Sequence, residues 1–169
     1  MPALAALTVS IGVLAVIATW LFFGPLAALN AQVWQAFIAW ACHYHCGGKL
    51  DGTRDAIVCM SYGAVIGMAA VLLAGQLGML GQFAAPLAVG IGASVIVLAS
   101  SIKWLSAIPA SVYGFAAIAG LWLLGADTLG EGASVVNALL PTIVSIVVGA
   151  AFGYVSESLA GALTKKGAG

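Results

Sequence analysis

Charged side chains are almost absent from this sequence, and that scarcity limits what the chain can fold into. Only 6% of its 169 residues are charged, five of them basic and five acidic. A water-soluble domain usually carries charge on about a quarter of its residues, because its surface must interact with water. We therefore expect a lipid bilayer to surround most of this chain. Nucleic-acid binding is excluded as a function class, since there is no basic stretch that could follow a phosphate backbone.

Six apolar runs are candidates for crossing that bilayer, because about 20 helical residues traverse its hydrocarbon core. They cover about residues 3–23, 28–46, 56–75, 83–102, 106–125 and 135–156. The sustained alternation that a membrane β-barrel needs is missing. The sequence therefore predicts an all-α membrane protein with six transmembrane helices, forming a single transmembrane domain over residues 1–169. The polar stretch from Lys49 to Asp55 is expected to be a loop.

The basic residues predict the orientation. If the N-terminus is cytoplasmic, six spans place all five basic residues on the cytoplasmic side: Lys49, Arg54, Lys103, Lys165 and Lys166. An excess of Lys and Arg in cytoplasmic loops is the standard orientation signal. We therefore expect a multi-pass protein of the bacterial inner membrane, with both termini in the cytoplasm.

The six runs also divide into two groups of three, covering about residues 3–77 and 83–163. Three helices are an odd number, so a second group that follows directly is inserted upside down. Gly63 and Gly67 in the third run resemble Gly149 and Gly153 in the sixth, and both pairs allow close helix crossing. Glycine is common in this chain, so coincidence remains an equal alternative to a 3+3 inverted repeat.

Two motifs resemble a known family. The segment from Trp34 to Ala41, followed by Gly47-Gly48, and the segment from Ile108 to Gly114 are similar to the domain-of-unknown-function family 1097, the YcdZ-like bacterial inner-membrane proteins. The resemblance extends from about Val9 to Glu157. It implies six spans and no established activity. The run from Cys42 to Cys46 departs from the small, apolar residues that the resemblance leads one to expect there.

That run, Cys42-His43-Tyr44-His45-Cys46, is the first candidate site. On a helix Cys42, His45 and Cys46 share one face, and His43 is a neighbour of Cys46. Thiolate and imidazole can bind zinc or copper, but the spacing matches no usual structural zinc pattern. The alternatives are a pair of pH-sensing histidines, or interfacial histidines with cysteines that only pack.

The second candidate site is a set of aromatic and small residues beside the second and fifth runs. Phe37, Trp40 and Tyr44 recur at helical spacing, with Trp34 just before them and the Gly47-Gly48 break just after them. Breaks at matching places in two halves are a pointer to a transport site. The predicted lining of a pore or substrate site is Trp34, Phe37, Trp40, Tyr44, Gly47, Gly48, Ser111, Tyr113 and Phe115. Ordinary helix packing is the alternative for each of these residues.

The sequence contains no common enzyme motif, so we expect no catalytic residues and no cofactor. Charge within the apolar runs is nearly absent, and Glu157 is expected to reach water at the interface. The leading hypothesis is a homo-oligomeric channel or facilitator for a small, mostly uncharged solute. The alternatives are a metal- or haem-associated membrane protein and a non-transporting subunit of a larger complex.

Overall fold

A computed structural model describes residues 1–165 of the chain, and side chains up to residue 164. Six α-helices make up most of the described part, which contains no strand. In chain order they are α1 (Ala3–Phe23), α2 (Val33–His45), α3 (Lys49–Gln76), α4 (Ala84–Ala99), α5 (Ile108–Gly125) and α6 (Leu139–Lys165). The prediction of an all-α fold is confirmed.

Five stretches are long and apolar enough to span a membrane: α1, α3, α4 with its preceding turn, α5 with its following turn, and α6 with its preceding turn. The exception is α2, which has 13 residues. At 1.5 Å per residue it is about 20 Å long, whereas the hydrocarbon core is about 30 Å thick. The second run was thus predicted too long, because Gly24 and Pro25 end α1 and the chain then turns through Ala27–Leu29 before α2 begins.

The segment from Lys49 to Asp55 is not a loop, contrary to the sequence prediction, but forms the first two turns of α3. The connection from α2 to α3 consists of Cys46, Gly47 and Gly48 alone. Gly47 has φ of 94° and Gly48 has φ of 70°, conformations that side chains with a Cβ rarely adopt. Two left-handed glycines therefore reverse the chain in the fewest residues and leave the polar residues free to continue as helix.

The helices alternate in direction, so the N-terminus and the end of α6 lie at the same end of the bundle. The amino group of Met1 donates to the carbonyl of Leu163 over 3.2 Å. The amide of Lys49, at the start of α3, donates to Glu157 in the last turns of α6. The guanidinium of Arg54 lies 5.1 Å from the ring of Trp104, in the turn between α4 and α5. All four basic residues in the described part are consequently near one end, which we name the basic end.

Small residues form the interior. The main core cluster contains alanines of α2, α3, α5 and α6, with Met60, Ile118, Leu121 and Ile146 as its largest buried apolar side chains. Large apolar side chains such as Leu4, Leu98 and Leu124 instead point outward. This distribution suits a lipid environment, where close backbone packing rather than a hydrophobic force holds helices together.

Two helix crossings are so close that only glycine fits. A Cβ added to Gly63 of α3 would collide with the backbone of Ser111 in α5, and one added to Gly149 of α6 would collide with the backbone of Ala36 in α2. One turn further along, Gly67 lies against Ile118 and Gly153 lies against His43. The small-residue pairs that stood out in the sequence are therefore the places where α5 packs on α3 and where α2 packs on α6.

Candidate functional site

The candidate site is a line of buried polar side chains along the contact between α2 and α6, named here the polar seam. Its fully buried members are Gln35, His43, Thr142, Ser145 and Ser156. Polar groups at this depth are costly unless they are hydrogen-bonded, because the surrounding hydrocarbon offers no partner. All five residues have hydrogen-bond partners, and one of their polar atoms, the amide oxygen of Gln35, has none.

At the end of the polar seam away from the basic end, Gln35 links three helices. Its amide nitrogen donates to the carbonyl of Ala117 over 2.9 Å and to the hydroxyl of Thr142 over 3.1 Å. Nearby, the hydroxyl of Ser145 accepts from the amide of Gln32, at 2.8 Å, where α2 begins. The amide oxygen of Gln35 is buried without a partner. A hydrogen-bond acceptor is therefore free inside the bundle at the point where α2, α5 and α6 meet.

In the middle of the polar seam, Ser156 collects donors from α1 and α2. The indole nitrogen of Trp40 lies 2.9 Å from the Ser156 hydroxyl, and the Tyr44 hydroxyl lies 2.7 Å from it. The Ser156 hydroxyl donates to the carbonyl of Gly153, so Trp40 and Tyr44 must both be donors to it. Ser10 of α1 donates to the Ser156 carbonyl over 2.7 Å. These hydrogen bonds hold the side chains of Trp40 and Tyr44 against α6.

Near the basic end, His43 is completely buried between α3 and α6. Its Nδ1 lies 3.0 Å from the Thr53 hydroxyl and its Nε2 lies 3.1 Å from Oε2 of Glu157. The same Glu157 oxygen accepts from the amide of Lys49 over 2.6 Å. A Cβ on Gly48 would lie 2.8 Å from the Glu157 carboxylate, so the turn packs directly on that group. The carboxylate is thus tied to α2 and to the start of α3.

Glu157 is partly exposed near the end of α6, but it is also held by other side-chain and backbone groups. Its side chain is 35% exposed, but a buried histidine and a backbone amide hold it. It also borders a groove of about 590 Å³ whose other lining residues include Lys49, Asp51, Tyr154 and Ser158. The sequence did not connect Glu157 with His43, because 114 residues separate them. It also did not connect Thr53 with His43, because Thr53 was expected to lie in a loop.

The run from Cys42 to Cys46 does not gather its side chains at one point. The sulfurs of Cys42 and Cys46 are 3.8 Å apart, His43 faces Glu157, and Nδ1 of His45 contacts the hydroxyl of Tyr113 at 2.9 Å. Among residues 1–164 no three His, Cys, Asp or Glu side chains are grouped so that they could hold a metal ion. The arrangement therefore gives the metal or haem hypothesis no support.

The predicted aromatic face of α2 is present. The rings of Phe37 and Trp40 stack at 5.8 Å with 5° between their planes, and Trp40 also contacts Phe152 of α6. Trp34 packs beside Gly120 of α5, and the residues Trp34 and Phe37 are each 39% exposed. The aromatic face thus begins at the surface of the bundle and becomes buried toward the polar seam.

The predicted residues of α5 lie on a different side. Ser111 is buried against Gly63, with its hydroxyl unpartnered, and Phe115 packs on Gly67 and Gly92. Tyr113 reaches toward the turn after α2 through His45. A groove of about 430 Å³ lies there, lined by His45, Cys46, Gly47, Asp55 and residues at the start of α5. The structure therefore brings Tyr113 to His45 but packs Ser111 and Phe115 against glycines of α3 and α4 instead of the aromatic face of α2.

Comparison with known proteins matches one family. A family model described as a protein of unknown function (DUF1097) matches residues 8–161, which is nearly the whole chain. No curated protein and no solved structure matches this chain. The resemblance found in the two sequence motifs is thereby confirmed, and this multi-pass, all-helical membrane protein belongs to the DUF1097 family.

Proposed function

We propose that this chain is a non-enzymatic channel or facilitator for a small, mostly uncharged solute, built from two inverted halves. The observation that carries the proposal is the reciprocal packing of its helices, in which α2 is short and ends at the Gly47–Gly48 turn. Inverted repeats are a recurrent architecture of membrane transport proteins, and short spans at matching places point to the transport site.

The two glycine crossings correspond to each other position by position. In one, Gly63 and Gly67 of α3 face Ser111 and Ile118 of α5; in the other, Gly149 and Gly153 of α6 face Ala36 and His43 of α2. The spacing is the same in both, since the two glycines are four residues apart and their two partners are seven residues apart. The agreement supports α2 and α3 as the counterparts of α5 and α6.

The outer helices follow the same scheme. Gly92 of α4 lies beside Phe115 of α5 and beside Ile66 and Ala70 of α3. In the other half, α1 packs on α6 and its Leu14 clusters with Trp40 of α2 and with Phe152. Trp40 and Phe115 therefore occupy corresponding places, as α1 and α4 do. Since each half has three helices, alternation of direction turns the second half upside down, as the sequence traces suggested for residues 3–77 and 83–163.

The polar seam is the proposed route through the protein. It provides hydroxyls, an amide and an imidazole at intervals along the contact between α2 and α6, while the carboxylate of Glu157 lies beside it near the basic end. Neutral hydrogen-bonding groups suit a solute that carries no full charge, because desolvating an ion would need charged partners. Phe37, Trp40 and Tyr44 form one wall of this route, and small movements of α2 against α6 would open it.

Orientation and assembly complete the proposal. The basic end is cytoplasmic, because Lys and Arg concentrate on that side of bacterial membrane proteins, and it carries Lys49, Arg54 and Lys103. The predicted fifth basic residue, Lys166, lies outside the described residues. A homo-oligomer is proposed because close glycine and alanine packing leaves little space within one chain. Multi-angle light scattering in detergent should then report more than one chain per particle.

Solute flux tests the proposal directly. Purified protein in liposomes should speed the entry of urea, ammonia or a small alcohol, measured by stopped-flow light scattering against empty liposomes. Gln35→Leu should abolish the increase, because it removes the free acceptor of the polar seam. Gln76→Leu is the matched control, since Gln76 is exposed at the end of α3 and its replacement should leave flux unchanged. If wild-type protein moves none of these solutes faster than bare lipid does, the facilitator proposal is wrong.

A further inference from the structure

The hydrogen bonds around His43 specify where its protons lie. The Thr53 hydroxyl has one proton, and it donates that proton to the carbonyl of Lys49 over 2.8 Å. Toward His43 the hydroxyl is therefore an acceptor, so Nδ1 of His43 must carry a proton. Nε2 faces Glu157 at 3.1 Å, and a bond there needs one further proton, held by the ring or by the carboxyl group.

Without that further proton, a lone pair on Nε2 of His43 and a lone pair on the Glu157 carboxylate would face each other and repel. The imidazole could avoid this repulsion only by carrying its proton on Nε2 instead of Nδ1. The Thr53 hydroxyl would then have to donate to Nδ1 and would lose its hydrogen bond to the Lys49 carbonyl. Either way the links between α2, α3 and α6 change. The His43–Glu157 pair thus has one arrangement with a shared proton and a different one without it.

The backbone beside the pair supports a mechanical consequence. Lys49 is a non-glycine residue with φ of 57°, a conformation that is unfavourable unless its surroundings hold it. The hydrogen bond from its backbone amide to Glu157 is the shortest of the contacts at this carboxylate, at 2.6 Å. Glu157 therefore holds a strained turn, and a change at Glu157 affects the position of that turn.

We propose that His43 and Glu157 form a one-proton site that locks the Gly47–Gly48 turn to α6, and that loss of the proton releases the turn. The closed arrangement holds one proton more than the released one, so raising the pH favours release. This inference goes beyond the proposed function, because it concerns a proton and a turn and requires no permeating solute.

The other titratable groups near the pair are few. On α2, the ring of Tyr44 lies edge-on to His43 at 5.0 Å, and His45 is turned away toward Tyr113 of α5. On α3, Asp51 and Asp55 pair with Arg54, while Lys49 and Asp51 line the groove that Glu157 borders. On α6, Tyr154 lines the same groove. Among the described residues α1 contributes only the terminal amine, which bonds to Leu163.

Nuclear magnetic resonance of the full chain in lipid nanodiscs tests the site. The protein has only two histidines, so ¹⁵N-histidine labelling gives two sets of ring signals, which a His45→Gln variant assigns. His43 should be protonated at Nδ1 at low pH, and its Nε2 signal should differ between low and high pH. Over the same range the Lys49 amide should exchange about tenfold faster, after correction for intrinsic exchange.

Glu157→Gln supplies the decisive variant, because it removes the carboxyl group that shares a proton with Nε2 of His43. Protection of its Lys49 amide should no longer depend on pH. Glu131→Gln is the matched control, since Glu131 is the only other glutamate and lies between α5 and α6 at the opposite end; it should behave as wild type. A Lys49 amide whose protection in wild-type protein does not change with pH would overturn the proposal. So would a pH response that survives Glu157→Gln unchanged. Neither result bears on solute flux.

Discussion

The contact of α2 with α6 and the contact of α5 with α3 are both close glycine crossings, but their chemistry differs. In both, a glycine of the long helix meets the backbone of the shorter one: Gly149 meets Ala36, and Gly63 meets Ser111. One turn further along the long helix, Gly153 meets His43, which is hydrogen-bonded to Glu157. In the second contact Gly67 meets Ile118, which is surrounded by apolar groups.

The difference distinguishes the residues that close helix packing requires from the polar residues found in only one of the two contacts. Close helix crossing needs glycine in both places, because no side chain fits between the two backbones. The imidazole and carboxylate are found only in the first contact, since Gly67 of α3 packs on the apolar side chain of Ile118. The polar chemistry of the α2–α6 contact is therefore the better candidate for function, and four changes test this view.

The largest effect should come from the glycines that both contacts share. Gly63→Ala and Gly149→Ala should each destabilise the protein by about 3 kcal/mol, because rigid backbone atoms block the added methyl group. Unfolding by SDS from mixed micelles measures the loss. Gly90→Ala is the control, since nothing lies within 4 Å of the added Cβ. If one of the two glycines tolerates alanine, the contacts are not equivalent.

A smaller effect is expected where the chemistry of the contacts differs. His43→Leu should cost about 2 kcal/mol, because it leaves Glu157 and Thr53 without their partner. Ile118→Leu places the same residue at the corresponding position and should cost about 1 kcal/mol through repacking alone. The same unfolding assay compares them. Equal costs would mean that the buried hydrogen bonds add no stability.

Trp40→Phe makes the first contact resemble the second, because the proposed inverted repeat pairs Trp40 with Phe115. The change removes the indole donor to Ser156 and should cost about 1 kcal/mol. Trp20→Phe is a suitable control, because Trp20 is 64% exposed on α1 and has no such partner. The intrinsic fluorescence of each variant during unfolding gives the measurement. A stable Trp40→Phe variant would show that the Ser156 network is dispensable.

The smallest change in stability is expected for Gln35→Leu combined with Thr142→Val. These replacements keep the shapes of the side chains and remove an acceptor that has no partner, so stability should change by less than about 1 kcal/mol. Thermal unfolding in detergent checks this value. A large loss would mean that the reduced flux expected for Gln35→Leu reflects unfolding, and the variant would no longer locate the route.

The sequence already contained the signals for most of the fold. The apolar runs predicted helices, and Gly24-Pro25 and Gly47-Gly48 correctly marked where α1 and α2 end. The length of α2 was overestimated, because Ala28 to Gln32 is apolar enough to continue a helix but turns instead. The segment from Lys49 to Asp55 was misassigned for the opposite reason: its polarity indicated a loop, although helices readily begin with polar residues.

For the candidate site, sequence reasoning found the residues of α2 but not their partners. His43 and the aromatic face were identified from local spacing, which a single helix fully determines. Glu157, Thr53 and Ser156 were missed because they lie on other helices, and no local pattern connects them to His43. A glutamate at the end of a span, with a glycine one turn before it, was the one available signal.

By itself, the sequence determined a helical membrane protein. The scarcity of charge means that water cannot hydrate most of the surface, which depends only on composition. The long apolar runs form helices because each helix closes its backbone hydrogen bonds within itself, which depends only on local sequence. Tertiary structure alone decided that α2 begins only at Val33, which helices come into backbone contact at Gly149 and Gly63, and that a buried imidazole meets a carboxylate. Those outcomes depend on which faces of distant helices come together, and that choice rests on shape complementarity between residues far apart in the chain.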